Sequence, residues 1–405
     1  LFRAIQGLGG GAIYALSFIV VGTLYPPDQR AKMQGIISGI WGVASVLGPL
    51  AGGIIVENWS WRWAFFVNLP ITAIAVALII VGLKESGRER REHKLDFVGT
   101  ATLLSALMVL FYALSLSSHS PRAFDTELAT MIVFALALLT VFYFIERGAA
   151  EPIVPLDLFH VKLFRTSATV ATLAAMGVFG AITYLPLYLQ GVTGLTASHA
   201  GMVLLCVSVA WTAGSLIAGQ MLNRLGYRAV AVAGMFLLSI GYSFFVVSSN
   251  SLSVVFVAVS GMLIGTGMGM ANLTTLVAVQ NSAPHHRIGV ATSTVMLFRT
   301  FGAAFAVSLM GTVLLHRMQR GLSRLSSGNF SAVLLGKLAQ PQNLLEPATR
   351  AQIPDELLPQ MIAVLGDAIW YAFTVGFTLM MLGALLSFFL STTTPEDSPR
   401  HDNAV

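Results

Sequence analysis

Two arginines, Arg3 and Arg299, fall inside runs apolar enough to cross a bilayer. An arginine at mid-membrane costs about 2.5 to 3.5 kcal/mol even on the lower scales, so each must face a bundle interior and find an anionic or carbonyl partner. No Asp or Glu stands in the middle of any such run; Glu57, Asp96, Glu146 and Asp367 all lie at run ends. Arg3 is therefore read as lacking its counter-ion, which points to a carboxylate on a segment outside this sequence. The plainer reading is that it bonds backbone carbonyls or snorkels outward. For Arg299, nearer a run end, carbonyl bonding leads.

A second pattern is mechanical. It reads Gly35-x8-Ala44-x3-Gly48-Pro49-x2-Gly52-Gly53. Proline removes one helical hydrogen bond and kinks the helix, while the flanking small residues let a neighbouring backbone approach and rock. Such a helix suits a gate, although small residues also pack without gating. Binding residues are sought among polar or adaptable side chains within apolar runs, since Met and aromatic groups mould to varied apolar ligands. Tyr184, Tyr188, Gln190, Met268, Asn272 and Gln280 are the candidates. His285 and His286 adjoin Pro284 with no further ligands and read as a solvated turn, so no metal site is expected. No Walker loop, dinucleotide glycine fingerprint or paired catalytic carboxylate occurs, so neither enzymatic activity nor a cofactor is expected.

The elements that carry these residues are membrane helices. The 405 residues are 56% hydrophobic and 10% charged, against roughly 25% charged in a soluble domain. Eleven runs approach the roughly 20 residues a spanning helix needs: 1–24, 33–56, 64–83, 97–116, 128–145, 166–189, 197–222, 229–247, 252–279, 288–314 and 368–390. Runs of this length, rather than alternating segments of about ten, predict an all-α polytopic bundle and not a barrel. The single cysteine, Cys206, allows no internal disulfide and reads as a packing residue.

The net charge of +5 does not gather on one soluble face, which argues against a nucleic-acid partner. It follows the positive-inside rule instead. With the loop after the first run in the cytoplasm, Arg30, Lys32, Arg88, Arg90, Arg91, Arg224, Arg228 and Arg287 share that side. Arg62 and Arg122 alone occupy the opposite short loops. The C-terminus is then cytoplasmic.

Gly7, Gly9, Gly11 and Pro26 recur 258 residues later as Gly265, Gly267, Gly269 and Pro284, and Gly53 as Gly311. A same-direction repeat of membrane helices is how several secondary transporters are built. Three runs precede the second copy within its half and none precedes the first, which predicts three upstream spans and fourteen in all. The expected organisation is 1–83, the remainder of an N-terminal six-helix half; 84–96, a basic cytoplasmic linker; and 97–145, an inserted hairpin. A connector at 146–165 follows, then the C-terminal half at 166–391 with a long external loop at 315–366, and a cytoplasmic tail at 392–405.

Taken together these residues resemble the major facilitator superfamily, and within it the fourteen-span drug:proton antiporters of EmrB/QacA type. Arg3-Ala4-Ile5-Gln6-Gly7-Leu8-Gly9 resembles the fourth-span motif, which implies proton coupling at Arg3 and Gln6. Gly35 to Gly53 resembles the antiporter motif of the fifth span, with Ala44 replacing a usual glycine. Gly219-x3-Asn223-Arg224-x-Gly226-Tyr227-Arg228 resembles the cytoplasmic-loop motif, with Asn223 where an aspartate is usual. Arg299 with Gly302, Trp61-Arg62-Trp63 and Asp96-Phe97-Val98-Gly99 extend the match. The resemblance implies a secondary transporter in a bacterial inner membrane, with eleven of fourteen spans present. Its partners would be protons, an amphipathic small-molecule substrate and the lipid bilayer, with the proton gradient as energy source. A periplasmic adaptor and an outer-membrane channel are partners these residues do not address. The competing expectation is an N-terminally truncated product that does not transport.

Overall fold

The computed structural model describes residues 2–60, 62–82, 96–117, 126–149, 151–248, 253–325, 341, 343, 353–354 and 357–395. Their regular structure is helical throughout. The first helices are α1 (Phe2–Leu24), α2 (Pro27–Asn58), α3 (Trp63–Phe66), α4 (Asn68–Gly82), α5 (Phe97–Ser117) and α6 (Thr126–Gly148). There follow α7 (Lys162–Leu187, extended by a π turn at Tyr188–Val192), α8 (Ala197–Val247), α9 (Val254–Ser282), α10 (Ile288–Leu325) and α11 (Leu358–Ser387). Local chemistry sets several starts. Pro27 opens α2, where its fixed φ and missing N–H cost nothing, and the Thr196 hydroxyl caps α8 by accepting the His199 N–H.

Among the described residues seven helices are long and apolar enough to cross a membrane: α1, α6, α7, α8, α9, α10 and α11. Some of the eleven expected runs differ from this set for physical reasons. Helix α8 holds two of them as legs, reversing at Gly226, whose φ of 76° is one that a side-chain-bearing residue rarely adopts. Helix α4 is apolar but short, and α5, 21 residues long, is fully described only over Phe97–Ala113. Helix α2 is 32 residues long, and several of its side chains between 46 and 57 lie outside the described residues. Helix α10 continues to Leu325, past the expected end at 314, because Arg317, Arg320 and Arg324 end an apolar run without ending a helix. Likewise α11 begins at Leu358, before the expected 368. Most of the basic linker and of the external loop lies outside the described residues.

The densest core lies among α7 to α11. Helix α9 runs between the two legs of α8, and its glycines make that closeness achievable. A Cβ at Gly265 would overlap the Val207 carbonyl, one at Gly267 the Gly234 carbonyl, and one at Gly269 the Trp211 carbonyl. In α1, Gly7, Gly9 and Gly11 have no such neighbours among the described residues. Helix α4 buries no residue, as befits an apolar helix facing lipid. Helix α1 lies on α10 and α2 on α8, while α5 pairs with α6 and touches α10.

Candidate functional site

The α2–α8 seam is built from small residues. Gly219 faces the Ala31 carbonyl, a Cβ at Gly35 would lie 3.5 Å from the Ser215 carbonyl, and Gly42 lies against the Thr212 side chain. Helices meeting this closely at one end leave space above only if larger groups hold them apart, and aromatic side chains do so here. A cavity of about 270 Å³ opens between α1 and α2 on one side and α7, α8 and α9 on the other. Tyr14 and Phe18 of α1 and Trp41 of α2 form one wall, with Tyr14 edge-on to Phe18 at 5.4 Å and to Trp41 at 5.6 Å. Phe179 of α7 and Trp211 of α8 form the other, edge-on at 6.4 Å. Edge-on packing of this kind leaves ring faces free for a guest.

Polar groups interrupt these walls. Ser38 and Ser45 of α2 and Ser208 and Thr212 of α8 line the cavity. Each hydroxyl donates to a carbonyl of its own helix, or in the case of Thr212 also to Ser38, and so keeps acceptor capacity toward the interior. Asn272 of α9 forms the floor; it is 5% exposed, and its Oδ1 has no hydrogen-bond partner. The lining includes no charged side chain.

Behind the floor stands Arg299 of α10, 4% exposed. It donates to the Asn272 carbonyl at 2.7 Å and the Thr275 hydroxyl at 3.0 Å. Its remaining contact is with the Met296 sulfur at 3.7 Å, and its Nε–H is unpartnered. The carbonyl partner anticipated for this arginine is thus Asn272.

At the end where α2 begins and α9 finishes, the cavity is closed by buried polar contacts. Gln34 and Gln280 both donate to the Phe18 carbonyl, at 3.0 and 3.1 Å, and Gln34 also reaches Gln280 Oε1 at 3.3 Å. One layer further out, Arg30 donates to the Tyr25 carbonyl at 2.9 Å and to Asn281 Oδ1 at 2.6 Å, while Asn281 donates to the Tyr227 hydroxyl at 2.9 Å. Burial holds the Arg30 guanidinium below its ordinary pKa. Last, Asn223 donates to the Asp28 carbonyl at 2.8 Å. Three layers therefore clasp α1 and α2 to α8 and α9.

The residues singled out from sequence divide among these places. Of the six binding candidates, Asn272 lines the cavity. Gln280 belongs to the clasp, and Met268 is packed in the core. The Tyr184 hydroxyl donates to the Val307 carbonyl at 2.6 Å, Tyr188 packs edge-on against Phe245, and Gln190 is half-buried in the π turn. Of the gate pattern, Gly35 sits in the seam, Ala44 is exposed, and Gly48 has no neighbour within 4 Å. The helix continues through Pro49, Gly52 and Gly53, whose surroundings lie outside the description, as does the Arg3 side chain; Gln6 is exposed. In the loop motif, Gly219 and Asn223 meet α2, Arg224 is exposed, and Gly226 makes the reversal. Arg228 donates through Nε to the Leu390 carbonyl at 2.8 Å, fastening the end of α11.

Sequence reasoning passed over Tyr14, Trp41, Gly42, Phe179 and Trp211. A signal existed: Ser38, Trp41, Gly42 and Ser45 share one helical face at i, i+3, i+4 and i+7, and Ser208, Trp211 and Thr212 repeat it on α8.

Long apolar helices enclosing an aromatic cavity between two groups of helices describe a multi-pass membrane transporter. The model of the Major Facilitator Superfamily matches residues 1–307, and the chain belongs to that superfamily. Multidrug transporter protein MdtP of Bacillus subtilis (strain 168) is 31% identical to it over 411 residues, covering 96% of this chain and 75% of that protein. Multidrug resistance protein 3 of the same organism is 30% identical over 394 residues, covering 96% and 77%. A solved bacterial homolog of the human lysosomal transporter Spinster, inward-facing and occupied, aligns at TM-score 0.49 and 12% identity, over 95% of this chain and 96% of that one. The family assignment rests on the sequence matches.

Proposed function

We propose that the protein is a proton-driven exporter of amphipathic, drug-like molecules of the drug:proton antiporter type, working by alternating access in a bacterial plasma membrane. The observation that carries this reading is the aromatic cavity between α1–α2 and α7–α9. Its walls belong to different groups of helices, so relative rocking would open it to one side or the other. The clasp of Arg30, Gln34, Gln280 and Asn281 is then the closed gate on the side assigned to the cytoplasm by the positive-inside pattern. The relatives' names, multidrug transporter and multidrug resistance protein, agree with a cavity whose selectivity comes from ring faces rather than a fixed polar code. Energy would come from the proton gradient without a cofactor, with Arg3 and Gln6 in the coupling role that the motif resemblance implies.

Reconstitution into proteoliposomes tests it, with N-phenyl-1-naphthylamine as fluorescent substrate and an imposed pH gradient. The gradient is expected to drive dye movement. Trp41→Ala or Trp211→Ala should slow that movement about tenfold at equal inserted protein, since each removes the indole from one aromatic wall. Movement indifferent to both the gradient and the two substitutions would overturn the reading.

A further inference from the structure

Arg299 is a buried cation in an apolar bundle, and all its hydrogen bonds go to neutral groups: one carbonyl, one hydroxyl and one thioether sulfur. Its Nε–H has no acceptor. Charge in such surroundings acts beyond contact distance because little solvent screens it. The group nearest the cavity that it touches is Asn272, which accepts from the guanidinium through its backbone carbonyl and lines the cavity with its side chain, while its Oδ1 is buried and unpartnered. Among the described residues no carboxylate lines the cavity to cancel this field: Asp28, Asp96, Glu127, Glu146, Glu151 and Asp157 stand at or beyond helix ends, and Asp367 of α11 lies beside Arg317, Arg320 and Arg324, away from the cavity.

Resting on the export reading, we propose that the cavity selects aromatic amphiphiles that carry an anionic group, with Arg299 as the charge that attracts it and Asn272 as the polar floor on which it settles. Ring faces of Trp41 and Trp211 hold the apolar part. An organic cation of the same size meets a repulsive field at the floor. Arg299 acts here as a specificity-determining residue.

Three probes built on one ring system test this in proteoliposomes held at zero membrane potential. They are 1-anilinonaphthalene-8-sulfonate, the neutral N-phenyl-1-naphthylamine, and a trimethylammonium derivative of the latter. The wild type is expected to move the sulfonate about tenfold faster than the cation, with the neutral probe between them, as one charge in a weakly screened site requires. Arg299→Gln should lower the sulfonate-to-neutral rate ratio about tenfold, and Arg299→Lys should keep most of it because the charge remains. Equilibrium binding of the sulfonate to purified wild type, weaker in Arg299→Gln than in Arg299→Lys, gives the same answer without transport. Wild type that moves the cation as fast as the sulfonate, or a ratio unchanged in Arg299→Gln, overturns the inference and leaves the export reading standing. Failure of all three probes to move overturns both.

Discussion

Arg30→Ala is expected to open the clasped end of the cavity. The guanidinium satisfies a buried acceptor, Asn281 Oδ1, together with the carbonyl of Tyr25 at the surface, and is itself only 6% exposed. Truncation leaves the buried Asn281 acceptor without this donor, at about 1 to 3 kcal/mol. A shift of that size moves a two-state equilibrium by tenfold or far more. Ser38 lies one helical turn inside Gln34 and lines the cavity, so it can report the change. In a Cys206→Ser background, labelling of Ser38→Cys by a membrane-impermeant maleimide, applied from the side where α2 begins, should rise at least about tenfold in Arg30→Ala. Arg30→Lys should fall between, because a single ammonium on a flexible stem does not reproduce the fork that reaches both acceptors. Unchanged labelling in Arg30→Ala would show that these bonds do not hold the end shut.

The membrane bundle and the family motifs were legible because both depend on composition and local spacing. Long apolar runs admit few folds in lipid, and the glycines at 265, 267 and 269 announced close approach, which the α8 carbonyls supply. The division of polar residues was harder to see. Asn272 and Gln280 are both amides within one apolar helix, and an amide is satisfied equally by a cavity or by a neighbouring helix. Only the three-dimensional pairing with Phe18 and Gln34 shows that Gln280 belongs to a closure rather than to a binding wall. Arg299 was legible in kind, since a buried arginine must seek carbonyls, but not in partner, because Asn272 lies 27 residues away on another helix. The aromatic walls went unread for a different reason: with 25 Phe, 9 Tyr and 6 Trp in the chain, identity alone selects nothing, and only the serine and threonine residues beside them mark an inward face.

That inward face also relocates the most sensitive glycine of α2. The sequence pattern drew attention to Gly48 beside Pro49, yet among the described residues no atom lies within 4 Å of a Cβ at Gly48, whereas a Cβ at Gly42 would lie 2.7 Å from Thr212 Cβ and 2.8 Å from its Cγ2. Threonine is branched at Cβ and stiff about χ1, so it cannot swing clear as a long side chain would. Gly42→Leu is therefore expected to pry α2 from α8 at the cavity mouth and to cut transport per inserted molecule by more than about tenfold, since overpacking of this kind costs about 1 to 3 kcal/mol even for a few added carbons. Gly48→Leu should change it far less. A compensating pair separates contact from general damage: Gly42→Ala alone should impair transport, and adding Thr212→Gly should restore much of it, less about 1 kcal/mol for a glycine within a helix. Equal normalised rates for Gly42→Leu and Gly48→Leu would mean that the α2–α8 seam does not govern movement. Failure of Thr212→Gly to rescue Gly42→Ala would place the critical contact of Gly42 somewhere other than Thr212.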